Sequence, residues 1–273
     1  MQNQGSKTGR FLIIATICQL YLLNYLIFPW LLNEFGATKL ASQWWDITRY
    51  SSIVIEYLVI AICMWLERNN LGDFHFDRMS LITIVISSFF VFRNKLGIPG
   101  EEYYLLIIGF SGLLIATILW QNWFQIPITS WRWVAISIVM TSLILIPTTV
   151  IDYIINNSTA GLKFDIVGSI LFTVRDNLSF TVTIEEPIFR GFLWGYLCKL
   201  GWEENKVIAV QAVLFWFLHL RSFSFLLIFL LSLPLIILTY NYLVQRSKQI
   251  FPSIISHLLY NTMVSLIWRL FVH

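Results

Sequence analysis

Between Tyr103 and Trp120 no residue carries a charge. A run of that length reaches the ~18–20 apolar residues a helix needs to cross a hydrocarbon core. Runs 11–32, 50–66, 131–151, 177–200, 207–220, 223–244 and 251–271 are also largely apolar. Lipid offers backbone N–H and C=O groups no partner, so such runs must be helices or strands of a closed barrel. The ~10-residue alternation of a barrel strand is not seen. The expected fold is therefore all-α: a polytopic membrane protein with about eight transmembrane helices.

Composition narrows the class further. Apolar residues make up 58% of the 273 positions and charged residues 12%, about half the charged share of a soluble domain. That excludes an ordinary cytosolic enzyme. The net charge of +3 is small and dispersed, so no nucleic-acid partner is expected. Twelve Trp and eleven Tyr suit aromatic belts at membrane–water interfaces. Cys18, Cys63 and Cys198 lie far apart in apolar runs, with neither disulfide nor metal spacing.

Residues 11–32 are too long for a signal-peptide core and lack a small-residue cleavage site, so they read as a retained first helix. A polar loop at 33–49, with Trp44 and Trp45, leads to the second span at 50–66. Residues 79–92 suit either a short tilted span or an interfacial piece. Residues 152–176 form the longest interruption, its apolar back half (164–174) continuing into or lying against the next helix. Two parts follow: N-terminal helices at 1–176 and a C-terminal helical core at 177–273. Lys7 and Arg10 favour a cytoplasmic N-terminus.

The C-terminal part carries the charges that lipid does not tolerate. Glu185, Glu186 and Arg190 sit between Phe180 and Leu197, where each unpaired charge costs roughly 2.5–3.5 kcal/mol. Glu186 and Arg190 are i, i+4 and share a helix face. Glu185 is turned about 100° away, free to act elsewhere. Pro187 removes a backbone donor beside the carboxylates. Gly191 and Gly195 make a small-residue stripe that lets another helix approach closely. His257 and Asn261 are i, i+4 on the last helix, as are Phe215 and His219 on an earlier one.

Three polar faces can thus converge on one pocket. A carboxylate can activate water as a general base, and an imidazole can share that water or deliver a proton. An imidazole with an amide can stabilise an oxyanion. The set fits amide hydrolysis by an activated water, but two His and a carboxylate are also a zinc set. No H-E-x-x-H motif demands a metal.

Three ordered motifs, Glu185-Glu186-x-x-x-Arg190, Phe215-x-x-x-His219 and His257-x-x-x-Asn261, resemble those of the CAAX-protease and bacteriocin-processing (CPBP/Abi) family of intramembrane proteases. The local contexts Glu185–Gly191 and Phe251-Pro252 before His257 are similar too. The resemblance covers roughly residues 177–263. It implies that Glu185 activates water, His219 holds it, His257 and Asn261 form the oxyanion site, and Glu186 with Arg190 positions the helix. It implies an intramembrane endopeptidase in a multi-pass, bacterial cell-membrane setting, glutamate-type or metal-dependent. The partners expected are membrane lipid and a peptide or protein substrate, lipidated or bacteriocin-related. No cofactor is expected. The alternative is a divalent metal such as zinc on Glu185, His219 and His257.

Blander readings stand beside these. Glu186–Arg190 reads first as a structural ion pair. His219 alone reads as an interfacial histidine, and His257–Asn261 alone as interhelical hydrogen-bond glue. Glu56 reads as a helix-packing or interfacial residue, and the sequons at Asn156, Asn157 and Asn177 as chance. A non-catalytic membrane immunity or scaffold protein of the same fold is the alternative function. A transporter is disfavoured by the lack of a repeated half. If Phe223–Val244 crosses fully, His219 and His257 enter from opposite faces and meet only near mid-depth.

Overall fold

The computed structural model describes residues 38–93, 101–156, 166–219 and 228–271. The expected first span, the N-terminal charges and Cys18 lie outside them. The described residues are helical with connecting turns. In chain order the helices are α1 (Thr38–Leu66), α2 (Arg78–Arg93), α3 (Glu101–Gln121), α4 (Trp131–Asn156) and α5 (Ile166–Phe180). Then come α6 (Val182–Glu186), a π-helical stretch (Pro187–Leu193), α7 (Trp194–Lys199) and α8 (Glu204–Leu218). A second π stretch (Ile228–Ser232), α9 (Leu233–Ser247) and α10 (Phe251–Phe271) complete the order.

Several expected boundaries move. The loop placed at 33–49 is in part helix, because α1 begins at Thr38. Residues 79–92 are helical within α2, which packs on α3. The run at 177–200 is broken into pieces. One break falls at Thr181, outside helical geometry, and the next at Pro187, which has no N–H to give its preceding turn. The chain opens there into a π turn, a widening often found at functional sites. Among the described residues, one helix, Glu102–Gln121, is long and apolar enough to cross a membrane by length and composition. Ser51–Leu66, Arg78–Val91 and Trp131–Pro147 are shorter apolar helices.

α10 is the central element, packed against α4, α5 and α9. Loops tie one end of the bundle. Ile250 N donates to His75 O at 2.9 Å and Arg78 N to Pro127 O at 3.1 Å. The Gln249 amide donates to Ile128 O at 2.7 Å and accepts from Ser130 N at 2.8 Å. Asp77 accepts from the Thr129 hydroxyl and, at 3.3 Å, from the Phe251 N–H that opens α10. Burial raises the Asp77 carboxyl above its ordinary value, and these donors oppose the rise. Together these bonds set where α10 starts, and so the depth of every side chain on it.

The glycine stripe serves a close approach, but to a loop rather than to a helix. A Cβ on Gly195 would lie 2.3 Å from the Phe74 ring, and one on Gly191 would lie 3.0 Å from Phe76. Phe74 and Phe76, both fully buried, pack tilted against the Phe192 ring. The α1–α2 connection is thereby pinned to the helix that carries the carboxylates.

Candidate functional site

Glu185 and Glu186 end α6, just ahead of the π turn. Glu186 is fully buried and is met from three directions, by an ion pair with Arg190 and by hydrogen bonds from two side chains. Arg190 Nη1 is 3.3 Å from its Oε1, His257 Nδ1 is 2.8 Å from the same oxygen, and the Ser253 hydroxyl donates to Oε2. Arg190 is fully buried as well. Its Nε donates to Asn241 Oδ1 at 3.3 Å, and its guanidinium lies 4.0 Å from the Phe215 ring centroid.

His257 is held on every side. With Nδ1 donating to Glu186, Nε2 is the atom left to act, and it faces Glu185 Oε2 at 3.8 Å. Tyr240 stacks on the imidazole, and Phe215 meets its edge at 5.8 Å. Glu185, by contrast, keeps 14% of its side chain accessible, and its Oε2 has no hydrogen-bond partner among the described residues. The two adjacent glutamates are therefore different groups: one locked into a network, one left open.

His219 caps α8 at its C-terminus, half-buried, and its Nδ1 donates to Phe215 O at 2.8 Å. That bond leaves Nε2 free to accept from water. Its ring lies 4.7 Å from Phe215, whose other neighbours include His257 and Arg190. The two histidines thus meet across one phenyl ring. α8 has 15 residues and rises only about 22 Å, short of the ~30 Å hydrocarbon core.

Asn261 is one turn beyond His257, half-buried, with its amide donating to Asn177 Oδ1 at 3.1 Å. The structure thus groups Arg190, His219 and His257 around Phe215, sets Glu185 and Glu186 against His257, and gives Asn261 a partner on α5. Among the described residues, no group of three or more His, Cys, Asp or Glu side chains is placed to hold a metal ion.

The sequence pattern leaves three of these residues unmarked, Ser253, Asn241 and Tyr240. Ser253 was findable, being i−4 from His257 on the same face. Asn241 and Tyr240 carried no local signal. Glu56 was read as packing; it is 2% exposed, its Oε1 has no hydrogen-bond partner, and it interacts electrostatically with Glu185. α1 is brought there by Tyr57, whose hydroxyl donates to Ser179 O at 2.9 Å.

The comparisons with known proteins agree with the motif resemblance. Residues 166–263 match the family model described as type II CAAX prenyl endopeptidase Rce1-like. That stretch contains all three motifs and excludes α1 to α4. No curated protein and no solved structure matches the chain.

Proposed function

We propose that the chain is a multi-pass intramembrane endopeptidase of the CAAX prenyl type, hydrolysing a peptide bond near the membrane surface. The observation that carries this reading is the Glu185–His257 pair. An open carboxylate faces a histidine nitrogen at 3.8 Å, and the histidine's other nitrogen is anchored to a buried carboxylate. An ion pair made only for structure would not need a second glutamate whose Oε2 takes no hydrogen bond from the described residues.

The chemistry follows from these roles. Glu185 takes a proton from a water that His219 Nε2 also holds. The water oxygen attacks the peptide carbonyl carbon. His257, carrying a proton on each ring nitrogen, donates from Nε2, and Asn261 donates its remaining amide hydrogen, to the oxygen as it becomes an oxyanion. The C–N bond then breaks, and the proton on Glu185 passes to the leaving amine. Glu186 and Arg190 hold His257 in place. No step requires a metal.

The outer surface supports a membrane setting. Leu106, Phe110, Leu113, Leu143, Ile146 and Leu171 are all more than half exposed, a distribution that marks an interaction surface rather than a water-facing one.

The test is Glu185→Gln in detergent-purified protein, with internally quenched prenylated and unprenylated peptides ending in a CAAX sequence. Cleavage should drop at least 100-fold. Retained turnover would sink the base assignment. A chelator added to the wild type separates the two catalytic types, and unchanged activity is expected.

A further inference from the structure

Tyr240, on α9, has no part in the mechanism above. It is 1% exposed, and its ring lies flat on the His257 imidazole, centroids 4.9 Å apart and planes inclined by 27°. The Arg190 guanidinium approaches the same ring at 5.3 Å. Its hydroxyl has no hydrogen-bond partner among the described residues. That hydroxyl is within electrostatic reach of Glu186, Tyr260, Arg190 and Glu185. Tyr260 is already committed, its hydroxyl 3.1 Å from that of Ser232.

Stacking on His257 asks only for an aromatic ring, and phenylalanine would supply it. A buried phenolic O–H without a partner is a cost that phenylalanine avoids. The hydroxyl is thus a donor without a taker among the described residues, on the ring that covers the His257 imidazole. The oxyanion is where a donor is short, since one amide hydrogen of Asn261 already goes to Asn177.

Building on the protease reading, we propose that Tyr240 is a further catalytic residue. Its hydroxyl donates a hydrogen bond to the scissile carbonyl oxygen beside His257 as that oxygen gains negative charge. The ring meanwhile keeps the imidazole plane fixed, so both donors meet the oxygen from adjacent positions.

Tyr240→Phe tests this directly, because it keeps the ring and removes the donor. With the quenched prenylated CAAX peptide, kcat should fall about 100-fold or more, with KM within about twofold. The unfolding midpoint in detergent should stay level or rise, because the lost hydroxyl had no partner. A structural role would instead lower the midpoint. Full kcat in Tyr240→Phe overturns the proposal. So does a kcat loss no larger than the loss of folded protein. Glu185→Gln run beside it separates the failures. If Glu185→Gln is inactive and Tyr240→Phe is fully active, the protease reading stands and the Tyr240 assignment falls. If the wild type cleaves none of the peptides, both fall.

Discussion

His257 Nδ1 lies 2.8 Å from Glu186 Oε1, although the residues are 71 positions apart. This bond sets which nitrogen of His257 faces Glu185. It also gives Glu186 a role that its spacing to Arg190 did not reveal. The ion pair is the inner half of a relay from Arg190 through Glu186 to the imidazole.

Glu186→Gln keeps the shape of that relay but removes its charge. Cleavage is expected to fall about 100-fold or more, as when the orienting carboxylate of a catalytic histidine is neutralised. The nitrogen NMR signals of His257 should shift as the ring loses its charged acceptor. Unchanged signals would show that Glu186 does not hold the imidazole.

Arg190→Met leaves Glu186 buried without its cation. Breaking one side of a buried pair costs about 3–5 kcal/mol, so detergent unfolding should show a marked loss of stability. The double variant Glu186→Gln with Arg190→Met should recover much of it, because no lone charge remains. A double variant as unstable as the single one would contradict the pairing.

Gly195→Ala drives a methyl into the Phe74 ring, to 2.3 Å of its nearest atom if nothing moves. Overpacking of this kind costs about 1–3 kcal/mol. In a Phe74→Leu background the added cost of the alanine should shrink, because the ring it strikes is gone. Equal costs in both backgrounds would remove Phe74 from the explanation.

His75, in the loop outside the helices, should make stability fall in acid. Burial, followed by the positive charge of Lys248, brings its imidazole down to about 4. The unfolded chain takes up that proton near pH 6.5, so between those values the unfolded state binds more protons. Stability is full above pH 6.5 and declines toward pH 4, with a loss on the order of 2 kcal/mol by pH 5. His75→Asn tolerates the positive φ at this position and removes the titration. Its unfolding midpoint should fall less between pH 7 and pH 5 than that of the wild type.

Much of the candidate site was legible because it is written in i, i+4 spacings. Glu186 with Arg190, Phe215 with His219 and His257 with Asn261 each share a helix face by geometry alone. The separation of Glu185 from Glu186 follows from the 100° step between neighbours. Apolar runs likewise announce helices, since unpaired backbone groups are not tolerated in lipid. Segmentation was less legible. The break around Pro187 has a local cause in the missing N–H, whereas the loop expected at 33–49 is in part the helix α1.

The sequence by itself determined the helical class and which residues share a face, because both follow from local periodicity. Only the tertiary structure decided which faces meet. It set Glu186 on His257, laid Tyr240 over that imidazole, brought Glu56 within reach of Glu185, and gave one amide hydrogen of Asn261 to Asn177. Those pairings depend on where helices start and how deep they reach. Here that is fixed by the loop bonds of Asp77, His75 and Gln249 and by the short α8, contacts between distant segments that no single stretch contains.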